Sequence, residues 1–498
     1  MPMASSSHEP ARSRVTHLLR LAVFAVAATL LLFGPRAGPA SGPAALSAQG
    51  FGVYEQGACA MARAGASVAR PCADGSALFF NPAALTGTGV HDTPTGWTFG
   101  AGGTLIAVSG GFQPADGAPR TELDNDPIPV PHFFVRKGLG ENLAAGLGVY
   151  VPYGLSSRWP AEFDGAFSGF DNGLESIYIQ PTLAWEPRSG LSIGGGPVVV
   201  VGGVELNQRL DLSEQRVGQG DDPDLTFGQL GIPRGTPFGE VRLEGSGATG
   251  FGAHVGLRAH LGDRVELGLR YLTEVGLDYE GDARFTQVET GRTLAPNNPF
   301  GLPGGTPLDL VLQQAVFGSD GLLVDQGVTT AADMPAQAVA GLAVDVRPGL
   351  TVHSDLQWTG WSSFDEIELE FENPELNETI VQNYDDTWAI RVGAEARVAP
   401  DWTVSAGYLH NTAAAPAETV TPLLPESDRN HITLGAGWQF RDGVRVDAAY
   451  QRLMQNDRTG RTRSSDGLTG GPPTTDLNNG LYDFGAHLLG LSLSVEVR

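Results

Sequence analysis

The sequence predicts an all-β fold, a 14-stranded antiparallel transmembrane β-barrel with an N-terminal plug in its lumen. Three observations support this prediction. The chain begins with a segment typical of export. Most of the remaining residues alternate between apolar and polar with a period of two. The connections between these segments are alternately short and long, as they are in outer-membrane barrels.

Residues 1–48 have the pattern of a secretory signal. Arg12, Arg14 and Arg20 precede an apolar run over 21–33, and small residues follow as far as Ala48. The run is too short for a transmembrane helix, which needs about 20 apolar residues. We therefore expect residues 1–48 to be a signal peptide that directs the chain out of the cytoplasm.

Residues 49–95 are predicted to form the plug, or hatch. The stretch 74–85 (Asp-Gly-Ser-Ala-Leu-Phe-Phe-Asn-Pro-Ala-Ala-Leu) is too apolar to lie in water, so the barrel that follows is expected to bury it. The two cysteines of the chain, Cys59 and Cys72, lie in the same region. Export to an oxidising compartment permits a disulfide between them, with two free thiols as the alternative.

Residues 96–498 are predicted to form the barrel. The segment 264–280 shows the alternation clearly, because its polar and small residues occupy the even positions. The apolar face of this segment consists of Val265, Leu267, Leu269, Tyr271, Val275, Leu277 and Tyr279. The predicted strands span 96–112, 128–137, 142–153, 174–187, 191–206, 247–261, 264–280, 334–347, 350–371, 383–399, 402–412, 428–441, 444–455 and 482–498.

The connections favour a membrane barrel over a secreted β-sandwich. Every second connection is a tight turn, such as Gly262-Asp263 or Arg441-Asp442-Gly443, and the others are long. A closed barrel also leaves no strand edge unpaired. The apolar face is then expected to meet lipid, while Arg, Glu, His and Gly line the lumen. The aromatic residues expected at the membrane interfaces are Trp358, Trp388, Trp402, Tyr408, Trp438 and Tyr450.

Composition and motifs argue against several other functions. The formal net charge of −25 argues against nucleic acid as a partner. The spacing of His, Asp and Glu shows no zinc pattern, and we expect neither a metal nor a cofactor. Residues 190–194 match G-x-S-x-G, but a strand follows them where a nucleophile elbow needs a helix. The chain is therefore predicted not to be an enzyme.

The chain resembles the FadL/TodX family of outer-membrane transporters of long-chain fatty acids and other hydrophobic compounds. Short matches occur in order along nearly the whole mature chain. They are Gly50–Phe51, Ala64–Ala66, Asp74–Leu85, Tyr150–Leu155, Trp159, Leu191–Gly194, Met334–Pro335, Asp355, Trp358, Trp361, Arg391–Gly393, Ala406–Tyr408, Leu424–Arg429, Ala449–Tyr450 and Gly480–Tyr482. One departure is the last residue, Arg498, where the family usually ends in an aromatic residue that assists assembly.

The resemblance implies a passive uptake route through the outer membrane of a Gram-negative-type bacterium. Long extracellular loops, here 206–247 and 280–334, would capture a hydrophobic molecule and pass it to a pocket above the hatch. A rearrangement of the hatch N-terminus and a kinked strand would then release it sideways through the barrel wall. The implied partners are a long-chain fatty acid or another hydrophobic small molecule, outer-membrane lipid and lipopolysaccharide, and a monomer is expected.

The residues assigned to these roles follow from their positions. The candidates for contact with the ligand are Phe51, Val53, Phe79, Phe80, Leu85, Arg270 and Arg391. The two arginines, like Arg258, face the lumen by parity, where a carboxylate ligand would favour a positive group. Asn81, Pro82 and Ala83 form the hatch motif, a turn in which Asn81 satisfies buried backbone groups.

The site of the wall opening is left undecided by the sequence. Proline cannot donate to a strand ladder and glycine weakens one. The candidates are Pro152, Pro181, Gly195, Gly196 and Pro197. Two alternative functions are also kept open: a general diffusion porin and an outer-membrane lipid hydrolase.

Overall fold

The computed structural model describes residues 51–87, 95–115, 117–217, 225–416, 419–460 and 480–497. The predicted signal peptide lies outside these residues, and so do residues 49–50 and 88–94 of the predicted hatch. No helix among the described residues is long and apolar enough to cross a membrane.

Strands make up most of the described chain. They are β1 Trp97–Pro114, β2 Thr121–Glu122, β3 Ile128–Gly138, β4 Leu143–Arg158, β5 Asp171–Arg188, β6 Leu191–Asp211, β7 Pro237–Leu261, β8 Val265–Leu272, β9 Val275–Gln287, β10 Gln326–Met334, β11 Gln337–Arg347, β12 Leu350–Thr359, β13 Glu366–Phe371, β14 Glu378–Val381, β15 Thr387–Ala399, β16 Trp402–Asn411, β17 Arg429–Arg441, β18 Val444–Gln455, β19 Arg458–Thr459 and β20 Gly480–Val497.

Helices are few and short in the described residues. The α-helices are α1 Ala58–Met61, α2 Ala77–Phe80 and α3 Leu308–Ala315. The 3-10 helices are Pro82–Leu85, Asp164–Phe167, Leu212–Glu214, Trp361–Ser363 and Pro374–Leu376.

The sheet closes on itself through its first and last strands. β1 pairs with β20 from Trp97↔Val497 to Pro114↔Gly480, and on its other side it pairs with β3. The ring continues through β4, β5, β6, β7, β8, β11, β12, β15, β16, β17 and β18 back to β20. Each contact is antiparallel. The predicted closed barrel of fourteen antiparallel strands is therefore confirmed.

Two of the predicted strands are interrupted. Residues 264–280 divide into β8 and β9, because the ladder stops at Leu272 and resumes at Val275. Residues 350–371 divide at the 3-10 helix Trp361–Ser363. A further strand, β10, precedes β11. Outside the ring, β9 pairs with both β7 and β10, and β10 pairs with β13. These additional strands extend the wall beyond the ring on one side.

The two faces of the wall differ in chemistry as predicted. Large apolar side chains such as Phe251, Leu269 and Ile390 are exposed on the outside. Inward positions carry buried polar groups such as His254 and Gln357. Because lipid offers no hydrogen bonds, this sorting keeps polar side chains off the membrane face. The predicted interfacial residues Trp388, Trp402, Tyr408, Trp438 and Tyr450 are exposed, and Trp402 stacks on Trp438 with ring centroids 5.6 Å apart.

The prediction of one continuous lipid face over 264–280 is wrong for its second half. Val275, Leu277 and Tyr279 are each only 1% exposed, whereas the intervening residues are exposed. The cause is the interruption at Thr273 and Glu274. After this interruption the apolar side chains of β9 do not share the exposed face of β8. They pack against β6 and β7.

Residues 51–87, called the N-terminal segment below, lie inside the ring. All of them are buried except Arg70, Ala73 and Gly87. Wall groups on different strands hold the segment by hydrogen bonds: Ser492 Oγ of β20 accepts from Ala58 N–H at 2.9 Å, and Gln180 Nε2 of β5 donates to the Leu78 carbonyl at 3.0 Å. Cys59 and Cys72 form a disulfide within the segment, with Cα atoms 6.3 Å apart.

Glycines on the wall let the segment approach the strands closely. A Cβ atom at Gly256 would lie 2.1 Å from Asn81 Oδ1, and one at Gly268 would lie 2.2 Å from the Val68 carbonyl oxygen. Real side chains do not tolerate such distances. The absence of a side chain at these two positions is therefore a condition for seating the segment against β7 and β8.

Substituting Gly256 tests this seating. The change Gly256→Val is expected to push the Asn81–Pro82 turn off the wall and to lower the free energy of unfolding by about 1–3 kcal/mol, the usual cost of overpacking. Urea unfolding of the purified protein in detergent, followed by limited proteolysis, measures the effect.

The matched control is Gly203→Val on β6, where the nearest atom to a new Cβ would be 3.7 Å away. Equal stability and equal protease resistance of the two variants would contradict the proposed close fit.

Candidate ligand site

A large cavity lies within the barrel beside the start of the N-terminal segment. It has a volume of about 100 Å³ and is bounded by residues of β4–β7, β9, β10 and β13, by the segments before β15 and β17, and by Phe51. Among its apolar lining residues are Leu155, Leu174, Leu243, Phe364, Ile367 and Leu369. A mostly apolar, concave site with a few polar groups is typical of small-molecule binding.

The polar groups of the large cavity carry no positive charge within the described chain. They include Asn172, Gln382, Thr421 and Glu205. Glu205 is neutralised by Arg242, whose Nη2 lies 3.0 Å from Glu205 Oε1. Burial raises the pKa of Tyr384, which therefore lines the cavity as a neutral phenol. The lining thus suits an uncharged apolar molecule or the apolar tail of an amphiphile.

Phe51 connects the large cavity to a cluster of aromatic rings. Its ring centroid lies 4.6 Å from that of Trp361 and 5.2 Å from that of Phe364, both edge to face. Tyr153 of β4 lies 6.2 Å away on another side. The cluster therefore holds Phe51 in the cavity lining and in contact with β4.

The wall ladder is incomplete at β4. β3 and β4 pair only from Phe133↔Val149 to Gly138↔Ala144, so β4 beyond Val149 has no strand partner in β3. The register of β4 against β5 also shifts between Tyr150 and Tyr153, at the position of Pro152. This interruption is called the β4 break. Proline and a bulge account for it, since neither allows a regular ladder.

The N-terminal segment supplies the missing backbone partners at the β4 break. The Val53 N–H donates to the Pro152 carbonyl at 2.6 Å, and the Gly154 N–H donates to the Phe51 carbonyl at 2.8 Å. The Val53 side chain is fully buried in a cluster with Val151 of β4 and with Ile128 and Val130 of β3. The backbone at Phe51 and Val53 therefore pairs with β4 where β3 does not.

A second interruption separates β7 from β9. β7 pairs with β8 as far as His254 and with β9 only from Gly245, so residues 246–252 have no strand partner on that side in the described chain. Side chains fill this space: a Cβ at Gly250 would lie 2.4 Å from Val275 Cγ1. No backbone from the N-terminal segment pairs at this second site in the described chain.

A model of the family described as outer membrane protein transport protein (OMPP1/FadL/TodX) matches residues 40–495. The chain belongs to this family. The predicted resemblance, the location in the outer membrane and the expectation that the chain is not an enzyme are thereby confirmed, because the family consists of outer-membrane transport proteins.

The relatives of this FadL/TodX family member are distant in sequence. The long-chain fatty acid transport protein of Escherichia coli O6:H1 is 21% identical over 407 residues, which cover 80% of this chain and 85% of the relative. Outer membrane protein P1 of Haemophilus influenzae is 22% identical over 359 residues, covering 70% and 71% of the two chains.

Solved structures support the fold. The FadL homologue of Pseudomonas aeruginosa matches with a TM-score of 0.70 at 22% identity, over 90% of this chain and 99% of that one. The toluene transporter TodX of P. putida matches with a TM-score of 0.60 at 17% identity, over 91% of this chain and 99% of the other. At such low identity these likenesses concern the fold alone.

The predicted ligand-contact residues divide between different places. Phe51 lines the large cavity, whereas Val53 lies at the β4 break. Phe80, Arg270 and Arg391 line a separate small cavity between the N-terminal segment and the wall.

Two further candidates, Phe79 and Leu85, are buried in the core of the N-terminal segment and line neither cavity. The ring of Phe79 packs against Phe80 and Tyr150 at centroid distances of 4.9 and 5.1 Å. The Leu85 carbonyl accepts a hydrogen bond from Arg136 Nε of β3 at 2.7 Å. Both residues therefore fix the segment to the wall.

The hatch motif acts as a structural turn. Asn81 Nδ2 donates to the carbonyls of Val68 and Leu257, at 2.8 and 3.1 Å, and its Oδ1 accepts from the Ala83 N–H at 3.1 Å. Pro82 begins the 3-10 helix that follows. Asn81 thus joins two parts of the N-terminal segment to β7, and its side chain satisfies backbone groups that burial would otherwise leave unpaired.

The remaining candidates for the wall opening lie in a continuous part of the wall. Pro181 of β5 lies opposite Pro197 of β6. The ladder pairs are missing here, from Ile179↔Val199 to Leu183↔Gly195, but the register is the same on both sides of the gap. The strands stay close, since a Cβ at Gly196 would meet the Pro181 carbonyl. Gly195 lies in the paired ladder beside it.

The apolar residues of the two long loops mostly pack against one another. Phe227, Phe238, Leu308 and Leu312 are buried in one cluster that joins both loops. Leu230, Leu302 and Leu310 remain exposed. The loops therefore have a core of their own and leave a smaller apolar surface than the sequence alone indicated.

Trp361, Phe364 and Tyr384 were not among the predicted site residues. They line or support the large cavity with Phe51, and the Phe364 and Tyr384 rings lie 5.1 Å apart. The sequence offered one signal, since Trp361 and Phe364 interrupt the alternation of the predicted strand 350–371. Their spacing does not suit a strand, but it suits the 3-10 turn that directs both rings inward.

Filling the large cavity should weaken binding of apolar molecules. Ala332→Trp places a bulky ring in the cavity lining and is expected to raise the dissociation constant of an uncharged apolar fluorescent probe about tenfold or more, equivalent to about 1.4 kcal/mol. Fluorescence titration of the purified protein measures the change.

Leu342→Trp, at an exposed position on the outer face, is the control and should bind the probe as the unaltered protein does. Unchanged binding by the Ala332 variant, with the barrel folded, would show that the probe does not use this cavity.

Proposed function

We propose that this protein carries long-chain fatty acids or other hydrophobic small molecules across the outer membrane by passive uptake. The loops 206–247 and 280–334 capture the molecule, the large cavity holds it, and it leaves sideways into the membrane at the β4 break. In this proposal residues 51–87 are the described part of the plug predicted over 49–95. The protein acts as a monomer surrounded by outer-membrane lipid and lipopolysaccharide.

The observation that carries the proposal is the double role of residues 51–53. Phe51 lines the large cavity, and the backbone of the same short stretch pairs with β4 where β3 no longer does. A displacement of this stretch would therefore enlarge the cavity and open the wall in one movement. Among the candidates from the sequence, the proposal selects Pro152 as the residue at the opening.

A sideways exit follows from the physical properties of the cargo. An apolar molecule gains about 25 cal/mol for each Å² of surface that it moves from water into hydrocarbon. The wall at the β4 break leads directly to the membrane interior, whereas a route along the barrel axis must pass the buried N-terminal segment. Val53, Val151, Ile128 and Val130 line the proposed exit with apolar groups.

A disulfide across the β4 break tests the proposal. Gly52 and Tyr153 face each other in an antiparallel bridge, flanked by the bonds from Val53 N–H and Gly154 N–H. Cα atoms in such a pair are about 4.5 Å apart, a distance that a disulfide can span. In the double variant Gly52→Cys/Tyr153→Cys, oxidation should reduce uptake of radiolabelled oleate by cells to the level of a deletion strain, and reduction should restore it.

The two single-cysteine variants and the unaltered protein, each with oxidant and reductant, control for the loss of Tyr153 and for the native disulfide. Equal uptake by the oxidised and reduced double variant, with the crosslink verified by mass spectrometry, would rule out release through displacement of residues 51–53.

A further inference from the structure

The connection between β16 and β17 folds into the mouth of the barrel instead of standing outside it. This connection, residues 412–428, is called the inner loop below, and the structure describes it except for residues 417 and 418. It starts from the end of the barrel that carries the long connections, which is the extracellular end in outer-membrane barrels. Most of its described residues are buried. Three of them line the large cavity, namely Thr421, Leu423 and Leu424.

The base of the inner loop is fixed by a buried carboxylate. Glu426 is fully buried and accepts hydrogen bonds from the Ala414 and Ala415 N–H groups at 2.9 Å. Hydrogen bonds to a charged acceptor are stronger than those between neutral groups. They join the outgoing arm of the loop to the returning arm. The stretch Leu424–Arg429, one of the matches to the family, therefore closes the base of this loop.

The tip of the inner loop is attached to β4 by neutral hydrogen bonds. The Pro422 carbonyl accepts from Ser157 Oγ at 2.8 Å and from Trp159 Nε1 at 3.1 Å, and both donors lie at the extracellular end of β4. Within the described chain, no other hydrogen bond joins residues 419–424 to a different element. This pair of bonds is called the Pro422 latch.

The inner loop reaches the Pro422 latch across the interior of the barrel. In the ring, β18, β20, β1 and β3 lie between β17, where the loop ends, and β4. The tip fits closely against the connection that follows β4, since a Cβ atom at Gly165 would lie 2.6 Å from Pro422 Cγ. The loop therefore covers part of the mouth on the extracellular side of the large cavity.

The large cavity is too small for an elongated molecule while the inner loop is in this position. Its volume is about 100 Å³, whereas pockets for drug-sized ligands have roughly 300–1,000 Å³. A compact ring suits the smaller volume, because a cavity of about 150 Å³ holds benzene. Most other lining residues belong to strands that have ladder partners. Residues 419–424 are the part of the lining that can move with the loss of few hydrogen bonds.

We propose that residues 419–424 are a lid that limits the length of the molecule accepted by the large cavity. With the Pro422 latch closed, the cavity holds a compact apolar molecule. When the latch breaks, the lid withdraws and the cavity extends toward the extracellular mouth. An elongated apolar chain then covers Val420 and Leu424, which are buried under the closed lid and would otherwise meet water. The lid rests on the proposed function, because it controls entry to the same cavity.

Removal of the two latch donors tests the lid. Ser157→Ala/Trp159→Phe deletes both hydrogen bonds to Pro422, and a phenyl ring at position 159 keeps a stacking partner for Phe163, whose centroid now lies 4.6 Å away. A closed lid lowers the apparent affinity for a molecule that needs the open state. The double variant should therefore bind oleate about 5- to 30-fold more tightly and benzene with unchanged affinity. Equilibrium dialysis of the purified protein with radiolabelled ligands measures both.

The matched control makes the same two chemical changes away from the lid. In Ser494→Ala/Trp438→Phe, the serine is a buried wall residue whose hydroxyl has no hydrogen bond, and the tryptophan is exposed on the outer face. This variant should bind both ligands as the unaltered protein does. Equal changes for oleate and benzene in the latch variant, or no change for either, would overturn the lid.

A thiol in the lid separates this proposal from the proposed function. Thr421 is 7% exposed, and Cys59 and Cys72 are bonded to each other, so Thr421→Cys supplies the only free thiol. Without ligand, its reaction with a maleimide should be about 5- to 30-fold faster when the latch donors are removed, because labelling follows the open population. An unchanged rate would overturn the lid. Faster labelling, with neither oleate nor benzene bound by any variant, would instead contradict the proposed function and leave the lid in place.

Discussion

Backbone pairing in the membrane is the constraint on which this structure depends. Each N–H and C=O group of a strand that faces hydrocarbon needs a partner, because lipid offers none. The ladder between β1 and β20 meets this requirement by joining the first strand to the last. Closure then forces alternate side chains into an enclosed lumen, which the N-terminal segment fills with its own hydrogen bonds to wall groups such as Ser492 and Gln180.

The same constraint requires other groups to close the wall at the places where the ladder stops. At the β4 break the lost partners are replaced by the backbone of residues 51–53, which is not part of the wall. Between β7 and β9 the space is closed by side chains instead, with Val275 against Gly250. In the proposed release, the first closure would be removed by a movement of this one short stretch of chain. The second would require β9 itself to move, together with its ladder to β10.

The sequence predicted the barrel well because alternation and turn spacing are local properties. It failed at 264–280, since Val275, Leu277 and Tyr279 continue the apolar pattern of β8 although β9 leaves the ring. It also placed Arg258, Arg270 and Arg391 in the lumen by parity, but it could not distinguish them. Arg258 meets Glu266 a few residues away, while the surroundings of the other two are set by Gln337, Gln357 and Asp355, whose proximity depends on strand order.

The central claim is that residues 51–87 close the lumen, so that solutes do not pass along the barrel axis. Planar-bilayer recording of the purified protein tests it most directly, because small ions report any continuous water-filled path. The account predicts no steady conductance at neutral pH and moderate voltage. A large, steady, ohmic conductance from the unaltered protein would contradict it and would indicate a general diffusion porin.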